Sequence, residues 1–172
     1  MAGPSFRSSA TGRGSLGALL APALTCRAVR TAEERAAHLR IRHEVFVREQ
    51  GLFAAGGDGD AHDSDPAAIL VVGLAGQDIC GTVRLYPLTG WGEWKGDRLA
   101  VLPEYRHLGL GAPLVRFAVA TAAARGGRRM EAFIQPANVR FFERLGWQPT
   151  GGLVGYAGIP HQRMVIDLQS AR

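Results

Sequence analysis

The chain is short of several residue types. Among 172 residues there is one lysine, Lys95, and two cysteines, Cys26 and Cys80. Two cysteines make no disulfide framework and suit a reducing compartment, so the expected location is cytoplasmic. No stretch approaches the roughly 18 apolar residues of a membrane span, so no membrane partner is expected. Zinc-ligand spacing is missing. The acidic stretch 54–66, with Asp58, Asp60, His62, Asp63 and Asp65, lacks the glutamate that closes a calcium loop. It reads as a solvated loop, and no metal is expected. Acid is also missing from residues 1–30, which hold Arg7, Arg13, Arg27 and Arg30 and so four of the five net positive charges. Beyond Arg30, 16 basic residues face 15 acidic ones, a near-neutral balance that speaks against a nucleic-acid partner. Arginine in place of lysine, with abundant alanine and glycine, fits a GC-rich bacterial coding sequence.

At 47% hydrophobic and 20% charged, the chain has the composition of one globular domain. Residues 1–22, rich in Gly, Ser, Ala and Arg, read as a flexible tail ahead of a domain at 23–172. A cleaved signal peptide is the competing reading, but Pro22 and the glycines interrupt its mildly apolar core. The pattern predicts a strand at 24–29, then a helix capped by Thr31 with Glu33 and Glu34 in its first turn. That helix runs amphipathically to about residue 50, with Arg42, Glu44, Arg48 and Glu49 on its polar parts. Strands follow at 68–75 and 79–85, joined by a turn around Gln77-Asp78, and then a loop at 89–97. After the central segment come a strand at 129–135, a helix from Asn138 to residue 145, and closing strands at 154–156 and 163–168 separated by 158–161. No internal repeat is visible.

Residues 97–127 organise the rest. A short apolar run, 99–102, feeds Pro103 and a polar turn, then Arg106-His107-Leu108-Gly109-Leu110-Gly111-Ala112, then a helix that stops at Gly126-Gly127. Pro113 is tolerated because first-turn N–H groups have no intrahelical partner. Those free N–H groups, the positive end of the helix dipole and glycines that admit a ligand make an anion site. Arg106 can add charge-assisted bonds to a phosphate. A Walker A loop is excluded, because no Lys-Ser/Thr follows the glycines. A dinucleotide fingerprint is excluded too, because Leu114 stands where its third glycine belongs. An ordinary strand-turn-helix connection is the alternative reading.

Four segments in order carry a resemblance: LRIRHEVFVREQ at 39–50, RLAVLPEYRHLGLGAPL at 98–114, ANVRFFERLGW at 137–147 and GIPHQRM at 158–164. Together they resemble the GNAT N-acetyltransferase superfamily over residues 24–168, in its ElaA-like branch and most nearly a nitrogen-starvation-associated subgroup. The resemblance implies an α/β (α+β) fold with a mixed, mostly antiparallel sheet of six or seven strands flanked by about four helices. Its fourth and fifth strands, 99–102 and 130–135, would splay apart to receive acetyl-CoA as co-substrate. Pantetheine would meet the backbone of Leu99, Ala100 and Val101. Pyrophosphate would sit on Arg106 and His107 and on the amides of Leu108, Gly109, Leu110, Gly111 and Ala112. Asn138, Phe141 and Phe142 would flank the thioester.

The implied reaction moves an acetyl group to an amine of a small molecule or peptide. It needs a base for the amine, a donor for the carbonyl oxygen and an acid for the thiolate. Phe142 occupies the position where the family often has an acidic tyrosine, and phenylalanine cannot donate. Either the thiolate leaves unaided, its thiol pKa being roughly 8.5, or His161 or Tyr156 substitutes. Glu49 is the expected base; Arg42 and Arg84 are candidates for binding the acceptor, although Arg84 could instead pair with a loop aspartate. Two alternatives stay open: an acyl-homoserine-lactone-synthase-like acyltransferase, and a coenzyme A-binding protein that has lost catalysis. The family also allows a homodimer along a sheet edge.

Overall fold

The computed structural model describes residues 21–53 and 56–169, so all but the end of the expected tail lies outside the described residues. Seven strands form one sheet in the order β1-β2-β3-β4-β5-β7-β6. They are β1 (Leu24–Ala28), β2 (Ile69–Ala75), β3 (Asp78–Pro87), β4 (Glu93–Val101), β5 (Arg129–Ile134), β6 (Gln148–Tyr156) and β7 (Ile159–Asp167). All neighbours pair antiparallel except β4 and β5.

Helix α1 (Ala32–Arg42) starts as its sequence dictates, with the Thr31 hydroxyl accepting the Glu34 N–H at 3.2 Å. It does not continue as an α-helix to residue 50. From His43 to Glu49 it widens into a π-helix, and the Gln50 N–H reaches back five residues to the Val45 carbonyl at 3.1 Å. Such wide turns are rare and frequent at functional sites. On one face of the sheet, Ile41 and Val45 of this segment pack against Ala100. Helices α2 (Gly111–Ala124) and α3 (Val139–Arg144) cover the other face through Leu114, Val115, Ala118 and Phe142. Two sheet glycines set how closely α2 approaches. A Cβ on Gly81 would lie 2.8 Å from Leu114 Cδ1, and one on Gly73 would lie 3.0 Å from Leu110 Cδ2. Both leucines are fully buried, so the start of α2 is seated directly on bare backbone.

Strand boundaries differ from the expected ones in three places. The β2–β3 turn is Gly76-Gln77, one residue earlier, with Gly76 at φ +62°. Strand β4 begins at Glu93 rather than 99, because Trp94, Gly96, Arg98 and Ala100 alternate inward through what reads as a polar loop. The closing strands are longer and meet at Ala157-Gly158, both left-handed at φ +49° and +79°, which is the two-residue hairpin geometry. Residues 159–161 therefore belong to β7. Alanine in place of asparagine at the first turn position hides that turn from sequence.

The parallel pairing of β4 with β5 covers only Glu93↔Arg129, Trp94↔Met130 and Lys95↔Glu131. Beyond it the strands separate, and the cause lies in β4. Asp97 pairs with Arg84 and Ala100 with Thr82, so two β4 residues oppose the single Val83. Arg98, at φ +54°, forms this bulge. A bulge bends its strand and raises the local twist, and here the bend carries β4 away from β5. The Thr82 hydroxyl donates to the Arg98 carbonyl at 2.9 Å and fixes it.

Candidate active site

A cavity of about 120 Å³ fills the splay. Phe46, Phe53, Asp97, Arg98, Tyr156 and His161 line it on the α1 side, and Val115, Ala118, Met130, Ala132, Phe142 and Trp147 on the α2 side. Leu99 and Asn138 border it, while Ala100 turns its side chain to α1 and Val101 packs on the core edge.

The glycine turn leads into α2, whose Val115 and Ala118 line the cavity. Pro103–Leu108 make a short 3₁₀ segment carrying Arg106, His107 and Leu108, and Gly109 follows at φ +78°. Leu110 is the fully buried anchor. Among the described residues, the N–H groups of Leu110, Gly111 and Ala112 have no backbone partner. A Cβ on Gly109 would meet nothing within 4 Å, and one on Gly111 would lie 3.5 Å from the Phe141 ring. This open row of amides at a helix start has the donors that an anion would need. Asn138 precedes α3, but its side chain makes no capping bond.

The π-helical segment ends by bridging both walls of the splay. The Arg106 guanidinium, beyond β4, donates to both Glu49 oxygens at 2.6 and 2.7 Å. Gln135, just past β5, donates to Gln50 Oε1 at 2.9 Å. The hydrogen bonds from Arg106 hold the Glu49 carboxyl below the usual carboxylate range, and Glu49 is outside the cavity lining. Both features count against it as a base.

His161 and Tyr156 come together on the cavity wall with ring centroids 5.2 Å apart and planes crossed at 86°. His161 is buried, and its Nδ1 lies 3.0 Å from the Ile159 carbonyl. A carbonyl only accepts, so in the neutral ring Nδ1 carries the hydrogen and Nε2 keeps a lone pair. Arg98 Nη1 donates to the Tyr156 hydroxyl at 2.7 Å, leaving the phenolic hydrogen free to be donated elsewhere. Phe142 is buried and edge-on to Trp147, with centroids 5.5 Å apart.

Arg42 and Arg84 stand outside the cavity lining. Both are fully buried and given over to carboxylates. Arg42 Nε donates to Asp58 at 2.6 Å, and its terminal nitrogens to Asp63. Arg84 makes two-pronged contacts with Asp60, at 2.6 and 2.8 Å, and with Asp97, at 2.8 and 2.7 Å. Arg98 completes the cluster on Asp58 and Asp60, each at 3.1 Å. The acidic stretch is therefore no solvated loop. It neutralises three buried guanidiniums and pins the bulge. Burial opposes ionisation of Asp63, but hydrogen bonds from Arg42 and the Asp60 N–H, with the charges of Arg42 and Arg84, overcome it and push the carboxyl well below the usual range. For Arg84, burial is likewise outweighed by Asp97 and Asp60, and its pKa is raised.

Sequence reading missed Arg98, Lys95 and the aromatic pair Phe46 and Phe53. The inward alternation from Trp94 was the available signal for Arg98. The Lys95 ammonium lies 4.2 Å from the Phe133 ring centre and 5.8 Å from that of Tyr156, and burial pushes its pKa down.

Residues 40–147 match the sequence profile described as the acetyltransferase (GNAT) family. No curated protein sequence matches the chain. Among solved structures it is similar to a candidate N-acetyltransferase from Lactobacillus plantarum, at 27% identity and TM-score 0.75, covering 85% of this chain and 99% of that one. It is also similar to Escherichia coli ElaA, at 18% identity and TM-score 0.73, covering 83% and 99%. A third likeness is to BjaI, a CoA-dependent acyl-homoserine lactone synthase, at 20% identity and TM-score 0.66, covering 80% and 77%.

Proposed function

Because the chain belongs to the acetyltransferase (GNAT) family and is thus an acyl-CoA-dependent N-acyltransferase, we propose that it moves an acetyl group from acetyl-CoA to a primary amine of a small molecule or peptide. The observation that carries this reading is the opening of β4 from β5 beside three unpaired amides at the start of α2. Leu110, Gly111 and Ala112 hold the pyrophosphate through those amides, and Arg106 exchanges Glu49 for phosphate. An exposed ion pair is worth only about 0–1 kcal/mol, so the exchange is cheap. Leu99 to Val101 hold the pantetheine arm along the freed edge of β4.

Bound acetyl-CoA supplies an activated thioester carbon. His161 Nε2 takes the proton from the attacking amine, the new C–N bond forms as the C–S bond breaks, and Tyr156 gives its hydroxyl proton to the departing thiolate. Arg98 steadies the phenolate that remains. This assignment replaces the missing tyrosine at Phe142 with a group on the opposite wall. The free cysteines suit a reducing, cytoplasmic setting, and pairing of two copies along the outer edge of β6 belongs to the same proposal.

The test is thiol release from acetyl-CoA across an amine panel, with Gly109→Asp beside Gly109→Asn. Both residues tolerate a left-handed backbone, and the space around Gly109 is open, so both variants fold. Asp places a charge beside the phosphates and should cost at least about a hundredfold in coenzyme A affinity, roughly the loss of one charge-assisted contact turned repulsive; Asn should lose far less. Retained affinity in the Asp variant refutes the loop assignment.

A further inference from the structure

We infer that the inner end of the splay is an acyl-chain site, built for donors of about four to six carbons as well as acetyl, by comparison with a dry apolar cavity of about 150 Å³ that holds a benzene ring. The inference rests on reading the splay as the coenzyme A site. The cavity runs past the pantetheine edge at Leu99–Val101 to Gly96, three residues nearer the apex, a distance of about 10 Å at strand rise. The cysteamine carbons, the sulfur and an acetyl group would take up the outer part of that length, and a longer acyl chain would take up the rest.

Every side chain at the inner end is apolar or aromatic: Val115 and Ala118 from α2, Met130 and Ala132 from β5, with Phe142 and Trp147 behind them. The charged and hydroxyl groups, Asp97, Arg98 and Tyr156, lie on the other side of the sheet. The β4 wall is a glycine there, and a Cβ on Gly96 would come 2.8 Å from Met130 Cε. Met130 fills the space over Gly96 and forms the floor, and the small residues at 118 and 132 leave room that larger ones would fill. A void of this kind forfeits dispersion contacts along its whole lining, and an alkyl chain restores them. Each buried methylene is worth about a fourfold gain in affinity. The bonds made and broken are those of the acetyl reaction, with the longer acyl group carried to the amine and coenzyme A released as the thiol.

Isothermal titration of acetyl-, butyryl- and hexanoyl-CoA without an acceptor tests this apart from turnover. Hexanoyl-CoA should bind the wild-type protein at least about tenfold tighter than acetyl-CoA. In Ala118→Leu and Ala132→Val, which fill the void from opposite walls, that ratio should fall to about two or less. Taking the ratio within one protein cancels any general loss of folded material. A wild-type ratio near one, or a ratio unmoved by both substitutions, overturns the acyl site while leaving acetyl-CoA binding intact. Failure to bind even acetyl-CoA overturns the coenzyme A reading together with it.

Discussion

At the scale of single residues, one carbonyl and one guanidinium decide which groups on the cavity wall can move protons. The Ile159 carbonyl fixes the imidazole hydrogen of His161 on Nδ1, and Arg98 takes up a lone pair of the Tyr156 oxygen. His161→Gln and Tyr156→Phe should each lower kcat by about 10²- to 10⁴-fold with little change in donor affinity; an unchanged kcat removes that residue from the mechanism. Glu49→Ala should behave oppositely. Freeing Arg106 should tighten coenzyme A binding by up to about fivefold, and a large loss of kcat instead would restore Glu49 as the base. The two wall residues were legible as polar groups near the end of the chain. Their hydrogen-bond state was not, because it depends on a β-hairpin turn written Ala-Gly and on an arginine 58 positions away in sequence.

At the scale of elements, the acidic stretch and the β4 bulge are one device. Asp58 and Asp60 reach Arg98 at the bulge, while Asp63 joins Arg42 of α1 to Arg84 of β3. Removing one partner of a buried ion pair strands the other charge away from water. Asp63→Asn should therefore destabilise the fold by about 3 kcal/mol, read as a shift in the urea midpoint at constant m-value; a loss below about 0.5 kcal/mol, the range of ordinary surface changes, would mean the cluster is dispensable. The glycine turn, the start of α2 and the succession of strands along the chain could be read from local pattern, because each rests on spacing within one segment. The fate of Arg42, Arg84 and the aspartates could not. A helix charge and a loop charge look solvated one at a time, and only the packing of α1, β3, β4 and the loop shows them facing one another.

At the scale of the whole molecule, stability should depend on pH through His38. Its ring is fully buried between α1 and β3, with Nε2 3.4 Å from the Val83 carbonyl and Nδ1 without a partner among the described residues. Burial pushes its pKa from 6.5 down to about 4. The unfolded chain then binds a proton at this site from about pH 6.5 downward while the folded chain does not. Stability is therefore greatest above that range and falls by up to about 3 kcal/mol as pH drops to 4. Below pH 4 the lowered carboxylates take over, Asp60 and Asp63 protonating first in the unfolded chain. Urea titrations at pH 7.5, 5.5 and 4.5 should show the decline, and His38→Gln should flatten it; an equal slope in both proteins assigns it to another group.

The solitary lysine has a practical consequence. Lys95 sits on the last paired rung between β4 and β5, with its ammonium against the rings of Phe133 and Tyr156. An amine-selective label thus has one side chain to find in this protein, at the apex of the cleft, and the mass it adds to the peptide carrying Lys95 becomes a gauge of how far that cleft stands open.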